Sequence, residues 1–125
     1  MQLEKLMTQQ VQKTPSSTLP VKLGDRIILL DHEEIIYLKA EDKYTCIYLE
    51  NGKKHLSSQS LGKLESTLPA IFIRVHRSYI INKKHIMEVR KYFKGKLILT
   101  MKDKDRTAIT TGEKYSADVK VILGL

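Results

Sequence analysis

Two arginines, a histidine, a serine and an asparagine interrupt an otherwise apolar run at residues 72–82. Arg74 and Arg77 lie three residues apart in a stretch whose pattern is typical of a β-strand. Moving an unpaired charge out of water costs several kcal/mol, so we expect both guanidiniums to face an anion. The planar fork of donors on Arg77 suits bidentate binding to guanine O6 and N7 or to a phosphate.

The other polar residues of this run have different expected roles. Ser78 has the size and the hydroxyl to donate to a phosphate. If the strand alternation holds, Arg74 shares a face with His76, so we expect Arg74 to meet a nucleic-acid backbone and not the bases. His76 is more readily explained by a hydrogen bond to neighbouring backbone than by a direct contact. Asn82 is more readily explained as the cap of a turn than as a reader of adenine.

Positive charge is concentrated around the same run. The chain carries 22 Lys and Arg against 14 Asp and Glu, a net charge of +8. Residues 71–106 hold 11 of the basic and three of the acidic side chains, and the rest of the chain holds 11 of each sign. A segregated positive field attracts a polyanion and accelerates encounter with it. The alternative is a solvated surface whose lysines maintain solubility.

Residue patterns for catalysis, metals and cofactors are missing from the sequence. No glycine-rich loop precedes a predicted helix, no carboxylate pair stands out for acid–base chemistry, and the histidines share no metal-ligand spacing. We therefore predict no enzymatic activity, no metal and no cofactor. Cys46 is the single cysteine, which indicates a reducing, cytoplasmic compartment. No apolar run approaches the ~20 residues needed to span a membrane, so we predict no membrane contact.

Short strands must position the polar run. Alternating or apolar stretches bounded by turn residues predict strands along most of the chain. They lie at residues 26–30, 35–40, 44–50, 53–56, 71–75, 87–89 and 97–101. Asn51-Gly52 is the strongest hairpin signal, because both residues tolerate positive φ. The pattern predicts a mainly β fold of about ten short strands with two short helices.

Two short helices accompany the strands. Leu61, Leu64 and Leu68 mark one face of the first helix, with Ser58 as its expected cap. Thr110 and Glu113 have the spacing of a capping box for the second helix near the end of the chain.

The first 20 residues differ from the rest. Apolar residues at helical spacing between positions 3 and 11 predict a short amphipathic helix, and residues 15–20 are typical of a linker. We therefore divide the chain into a helix stub with a linker, residues 1–20, and a domain, residues 21–125. The stub is interpreted as the remnant of an upstream region, and the alternative is a natural N-terminal arm.

From residue 21 to residue 125 the chain resembles the LytTR family of bacterial DNA-binding domains. Residues 36–45, 61–65 and 72–82, followed by Ile86, carry the resemblance. It implies an elongated arrangement of small antiparallel sheets whose loops enter successive major grooves of bent double-stranded DNA at repeated sites. It also implies the output domain of a two-component response regulator, with a receiver domain upstream or a sensor kinase as further partners.

The resemblance also implies three DNA-contacting regions. Carried over by position, they comprise Lys43, Tyr44 and Thr45, then Arg74, Arg77 and Ser78, then Thr111, Gly112 and Lys114. Arg77 falls in the base-reading place. The third region departs from the family pattern of a hydroxyl residue, two basic residues and a tyrosine, because this chain has Gly112 and Glu113 before Lys114. A glutamate there would repel phosphates.

These observations predict a sequence-specific double-stranded DNA-binding domain that acts in transcription regulation. One alternative is a non-catalytic basic β module that docks an acidic protein. Another is a single-strand RNA binder, which would stack bases on Tyr44, Tyr79 or Tyr92. Dependence of binding on base sequence separates the first hypothesis from the protein-docking alternative.

Overall fold

The computed structural model describes residues 17–125, which form ten β-strands, two α-helices and three short 3-10 turns. The predicted N-terminal helix and the start of the predicted linker lie outside the described residues. The strands are β1 Thr18–Leu23, β2 Arg26–Asp31, β3 Ile35–Glu41, β4 Tyr44–Leu49, β5 Lys54–Ser57, β6 Phe72–His76, β7 Tyr79–Asn82, β8 Ile86–Lys91, β9 Leu97–Met101 and β10 Ala108–Thr110. The helices are α1 Leu61–Thr67 and α2 Ser116–Leu123, and the 3-10 turns are His32–Glu34, Lys83–His85 and Phe93–Gly95.

The strands form three small antiparallel sheets. The largest has the order β5-β4-β3-β7-β6, a second has the order β10-β9-β8, and β1 pairs with β2. The prediction of a mainly β fold of small antiparallel sheets with two helices is confirmed.

Both faces of the five-stranded sheet are covered. On one face Leu38 and Ile80 pack with residues of α1 and of the β1–β2 sheet. On the other face Tyr37 and Ile81 pack with β9, β10 and Val119 of α2. Successive side chains of a strand point to opposite faces, so neighbouring residues enter different cores. Burial on both sides explains why the central strand β3 is apolar over four consecutive residues.

The run at residues 72–82 folds as a hairpin and not as one strand. Strands β6 and β7 are antiparallel, and the turn between them consists of Arg77 and Ser78. The register shifts between Arg74 and His76, which indicates a β-bulge beside the turn. Apolar residues continue on both sides of the turn, and neither Arg77 nor Ser78 is a strong turn residue, so the sequence pattern alone did not indicate the reversal.

Two predicted helix caps are wrong. Ser60, and not Ser58, caps α1, because its Oγ accepts the amide of Lys63 at 3.2 Å. Helix α2 begins at Ser116 and has no side-chain cap, so Thr110 and Glu113 do not form a capping box.

Strand β1 is absent from the strands that the sequence predicted. Residues 18–20 were assigned to the linker, yet Thr18, Leu19 and Pro20 pair with β2. Leu19 is buried in the core, and this burial outweighs the tendency of Pro20 to mark a loop.

Candidate nucleic-acid interface

Two of the predicted contact regions lie at one end of the five-stranded sheet. Strand β3 runs antiparallel to β7 with Lys39 opposite Tyr79, and the Ala40 amide donates to the Ser78 carbonyl at 2.9 Å. The turn that ends β3, residues 42–43, therefore lies at the same end of the sheet as the turn of Arg77 and Ser78.

The third region joins this end through backbone hydrogen bonds. The Gly112 amide donates to the Val75 carbonyl at 2.9 Å, and the Thr111 amide donates to the Leu97 carbonyl at 2.9 Å. The turn between β8 and β9 lies beside it, since Thr110 pairs with Ile98 at the start of β9. We call this cluster the loop end, which comprises residues 42–43, 77–78, 93–95 and 111–114.

Gly112 allows the close packing of the third region on the β6–β7 hairpin. A Cβ at this position would lie 3.2 Å from Tyr115 Cδ2, which is tighter than ordinary van der Waals contact, and 3.4 Å from His76 Cδ2. The departure from the family pattern at Gly112 is therefore matched by a close approach to His76.

A basic groove of about 630 Å³ separates the hairpin turn from the third region. The cationic side chains that line it are Arg77, Lys96 and Lys114, and Glu113 is the acidic residue of the lining. Lys96 lines the groove but is not among the contact residues that the family resemblance implied. It belongs to residues 71–106, the basic segment in which positive charge is concentrated. This arrangement suits the binding of an anion such as a phosphate.

Arg77 is exposed at the tip of a turn whose backbone is held in place. Within residues 17–125 no protein acceptor bonds to its guanidinium, which leaves its donors available to a ligand. Beside it, Nδ1 of His76 accepts the Ser78 amide at 3.0 Å. Burial lowers the pKa of His76, and the positive charges of Arg77 and Arg74 lower it further. The interpretation of His76 as hydrogen-bonded to neighbouring backbone is confirmed.

Arg74 is occupied by contacts within the protein. It donates to the His76 carbonyl at 2.8 Å and to the Arg77 carbonyl at 2.6 Å, and it forms a 2.7 Å ion pair with Glu65 of α1. Its side chain is 16% exposed. The sequence placed Arg74 against a DNA backbone, whereas the structure gives its charge an internal partner, because the β-bulge directs it towards the turn carbonyls.

The first region contains two exposed residues and one buried residue. Lys43 is exposed and Tyr44 is 51% exposed, so both side chains are accessible. Thr45 is fully buried, and its hydroxyl donates to the Gln59 carbonyl at 2.8 Å. The expectation of a direct side-chain contact from Thr45 therefore differs from its placement, because strand alternation turns this side chain inward.

The third region also contains both a buried and an exposed residue among its predicted contacts. Thr111 is 1% exposed, and its hydroxyl accepts the Leu97 amide at 2.9 Å and bonds to Ser116 Oγ at 2.7 Å. Its side chain is used to attach the loop to β9 and α2, which differs from the expected DNA contact. Lys114 is exposed at the groove. Ser78 is half-buried in the turn next to Arg77.

The basic segment is divided in space. Lys83 and Lys84 follow β7 at the end opposite the Arg77 turn, where Lys84 lies 3.9 Å from Glu33. The Lys102 amide donates to the His85 carbonyl at 2.7 Å, which places the end of β9 there as well. Only part of the charge concentrated in the sequence therefore lies at the loop end. Asn82, also at this far end, is fully buried and caps the turn by accepting the Lys84 amide, as predicted.

Other kinds of site are not evident in the described part of the chain. Among residues 17–125 no three His, Cys, Asp or Glu side chains are placed to hold a metal ion. No helix in this range is long and apolar enough to cross a membrane. Cys46 is buried and has no disulfide partner there.

Comparison with known proteins identifies the family. Residues 25–124 match the model of the LytTr DNA-binding domain. The chain is 35% identical over 109 residues to the transcriptional regulatory protein LytR of Staphylococcus aureus (strain MW2), covering 86% of this chain and 43% of that protein. It is 30% identical over 117 residues to the sensory transduction protein LytT of Bacillus subtilis (strain 168), covering 93% and 47%.

A solved structure agrees with these matches. The LytTr DNA-binding domain of a putative methyl-accepting/DNA response regulator from Bacillus cereus superposes with a TM-score of 0.76 at 28% identity, covering 88% of this chain and 99% of that one. The chain spans less than half the length of the curated relatives described above. Residues 25–124 form a LytTR DNA-binding domain, and the chain belongs to the LytTR family.

Proposed function

We propose that the loop end reads base sequence in double-stranded DNA. The observation that carries this proposal is the exposed Arg77 guanidinium, which has no acceptor within residues 17–125 and lies at the tip of a firmly held turn beside a basic groove. A guanidinium with free donors can bind guanine O6 and N7 in the major groove. Phosphates on either side would then meet the lysines of the groove.

The shape of the loop end supports a major-groove contact. The turn of the β6–β7 hairpin lies at the end of the five-stranded sheet, and the major groove of B-DNA, about 12 Å wide, admits an element of this size. The exposed Lys43 and Tyr44 lie at the same end of the sheet as the hairpin turn. Because β3 and β7 are neighbouring strands, about 4.8 Å apart, both turns would meet the same stretch of a duplex.

We assign the predicted contact residues other than Gly112 to three groups. Arg77 reads a base, and the remaining exposed or half-exposed residues, Lys43, Tyr44, Ser78 and Lys114, contact the sugar–phosphate backbone or groove edges. We add Lys96 as a phosphate contact because it lines the same groove. Thr45, Thr111 and Arg74 act through the fold, since their side chains are hydrogen-bonded within the protein.

The chain is proposed to be the output domain of a response regulator of a two-component system. The family match and the names of the relatives, a transcriptional regulatory protein and a sensory transduction protein, support this proposal. In such a protein an upstream receiver domain, addressed by a sensor kinase, would control the DNA-binding domain in the cytoplasm.

Selection of duplexes from a random-sequence pool tests the function. The recovered duplex and a shuffled duplex of equal length are then titrated at the same salt concentration. We expect the recovered site to bind about 10³-fold or more tightly than the shuffled duplex, which is the low end for specific DNA-binding proteins. Equal binding of both duplexes would refute sequence reading. It would instead favour the docking of an acidic partner through charge alone.

A further inference from the structure

The side chain of Arg74 connects three segments that meet at the loop end. It donates to the carbonyls of His76 and Arg77, at 2.8 and 2.6 Å, on the β6–β7 turn. It pairs with Glu65 of α1 at 2.7 Å. Its guanidinium carbon also lies 5.8 Å from the ring centroid of Tyr115, which precedes α2.

We propose that Arg74 is a positioning residue for DNA recognition, which holds the turn so that Arg77 points at its base. This inference rests on the proposed base-reading role of Arg77. Arg74 would touch no DNA itself and would act through the peptide group of Arg77, whose carbonyl oxygen it binds.

The geometry of a guanidinium fits this role. A guanidinium offers five N–H donors in a rigid planar fork, and Arg74 uses three of its nitrogens for three different acceptors. Two of these acceptors are successive carbonyls of the turn, so their relative orientation is fixed by one rigid group. The third acceptor, Glu65, ties that group to α1 and balances its charge. An ammonium on a flexible stem has a different geometry and cannot reproduce this fork.

Without Arg74, the peptide group between Arg77 and Ser78 would keep only the hydrogen bond from the Ser78 amide to His76 Nδ1, and its carbonyl could change orientation more easily. Because Arg77 is at the tip, a small rotation of its peptide plane moves the end of its long side chain by a larger distance. A bidentate base contact needs both donors in line with O6 and N7, so misorientation would remove base discrimination while the charge of Arg77 still attracts phosphate.

Arg74→Lys separates this role from a direct phosphate contact. We expect preference for the recovered duplex over the shuffled duplex to fall about tenfold, within the range for one lost base contact, with the salt slope unchanged. A residue that contacts phosphate directly would behave oppositely. Lysine would then preserve binding, and Arg74→Gln would lower the salt slope by roughly one unit. Either of these two results would overturn the proposal.

Glu65→Gln provides a milder variant in case Arg74 substitutions impair folding. It keeps the shape of Glu65 but weakens its hold on Arg74, so we expect preference to fall about threefold, less than for a lost base contact. Glu88→Gln is the matched control, because Glu88 is an exposed acid 4.0 Å from Arg90 and is remote from the turn. Equal effects of the two variants on preference would show that only net charge matters and would overturn the proposal.

A double-variant test links Arg74 to Arg77. In an Arg77→Ala background, Arg74→Lys should cause no further loss of preference, because the base reader is already absent. Independent losses that add together would refute action through Arg77. Thermal melts accompany each variant, since a merely structural defect would lower stability and weaken both duplexes alike. Lack of preference in the parent domain would refute the proposed function itself, whereas parental preference that Arg74→Lys retains would refute only the positioning role.

Discussion

Replacement of Glu113 should tighten DNA binding without a loss of stability. Glu113 is exposed in the third region and is the acidic residue in a groove lined by Arg77, Lys96 and Lys114. Capping of α2 would have given it a structural role, but α2 begins at Ser116 and has no side-chain cap. Its carboxylate therefore opposes phosphate binding while contributing little to the fold.

The position of Glu113 in the groove sets the expected change in DNA affinity. Glu113 lines the same groove as the three cations, and we take a separation of about 8 Å between its carboxylate and a bound phosphate, which is within the Debye length at 0.1 M. Two unit charges at this separation in water interact by about 0.5 kcal/mol, which is roughly a twofold change in affinity. Glu113→Gln removes this repulsion. Glu113→Arg reverses it and should tighten binding about fivefold at low salt, with less effect above 0.1 M, where the Debye length is about 10 Å.

Titrations of one duplex at several salt concentrations, with thermal melts on the same samples, test this reasoning. Asp105→Arg is the matched control, because it makes the same change in net charge in the exposed turn after β9, at the end away from the groove. We expect a steeper salt slope for Glu113→Arg alone. The free energy of unfolding of each variant should stay within about 0.5 kcal/mol of the parent, as is usual for exposed substitutions. Equal tightening by both variants would mean that net charge, and not the groove, determines the effect. Unchanged affinity for both at low salt would place the third region away from DNA.

Four further outcomes are expected. In titrations, Arg77→Ala should weaken binding to the recovered duplex by about 1–3 kcal/mol and binding to the shuffled duplex much less. Equal losses would show that Arg77 contacts only phosphate. Lys96→Glu should lower the salt slope by roughly one unit for every sequence, whereas Lys84→Glu at the far end should leave it unchanged. Asn82→Ala should cost about 2–4 kcal/mol in chemical denaturation with preference retained, because a fully buried amide loses its hydrogen bonds. The pKa values of His32 and His76 are both lowered from the ordinary 6.5, so the unfolded chain binds these protons more tightly. Stability in thermal melts should therefore be complete above about pH 6.5 and fall as the pH falls through that value towards the folded pKa values, and a flat profile would contradict the shifts.

Much of the fold could be predicted because it follows from burial patterns. The hairpin at Asn51-Gly52, the leucine face of α1 and the alternation in β9 are local signals that the tertiary structure preserves. The reversal at Arg77 has no comparable signal. Its residues do not require positive φ, and apolar residues continue on both sides of it. Thr18–Leu23 was missed in part because a long-range packing partner overrides the local preference of proline.

The charge pattern shows why sequence position is an incomplete guide to a surface. Residues 71–106 pass from one end of the sheets to the other several times, and each strand of about five residues covers about 17 Å. Charges of the same sequence segment, such as Lys84 and Lys96, therefore lie at opposite ends. Charges that are distant in the sequence, such as Lys96 and Lys114, line one groove. The pairing between strands is not evident from the sequence, and it determines which lysines contribute to the same region of positive potential.

The mixture of exposed and buried residues within each proposed contact region has a physical explanation. Tyr44 is exposed beside the buried Thr45, and Arg77 is exposed beside Arg74, whose charge is paired within the protein. The Thr111 hydroxyl likewise binds the backbone directly before the exposed part of its region. A loop that becomes ordered only on binding loses conformational entropy at that moment, which reduces affinity and allows several orientations. A loop held by a buried neighbour loses less and presents its side chain in one direction. The proposed DNA-contacting residues of this chain and the residues that fix them can therefore lie side by side in the sequence, and burial in the structure distinguishes the two groups.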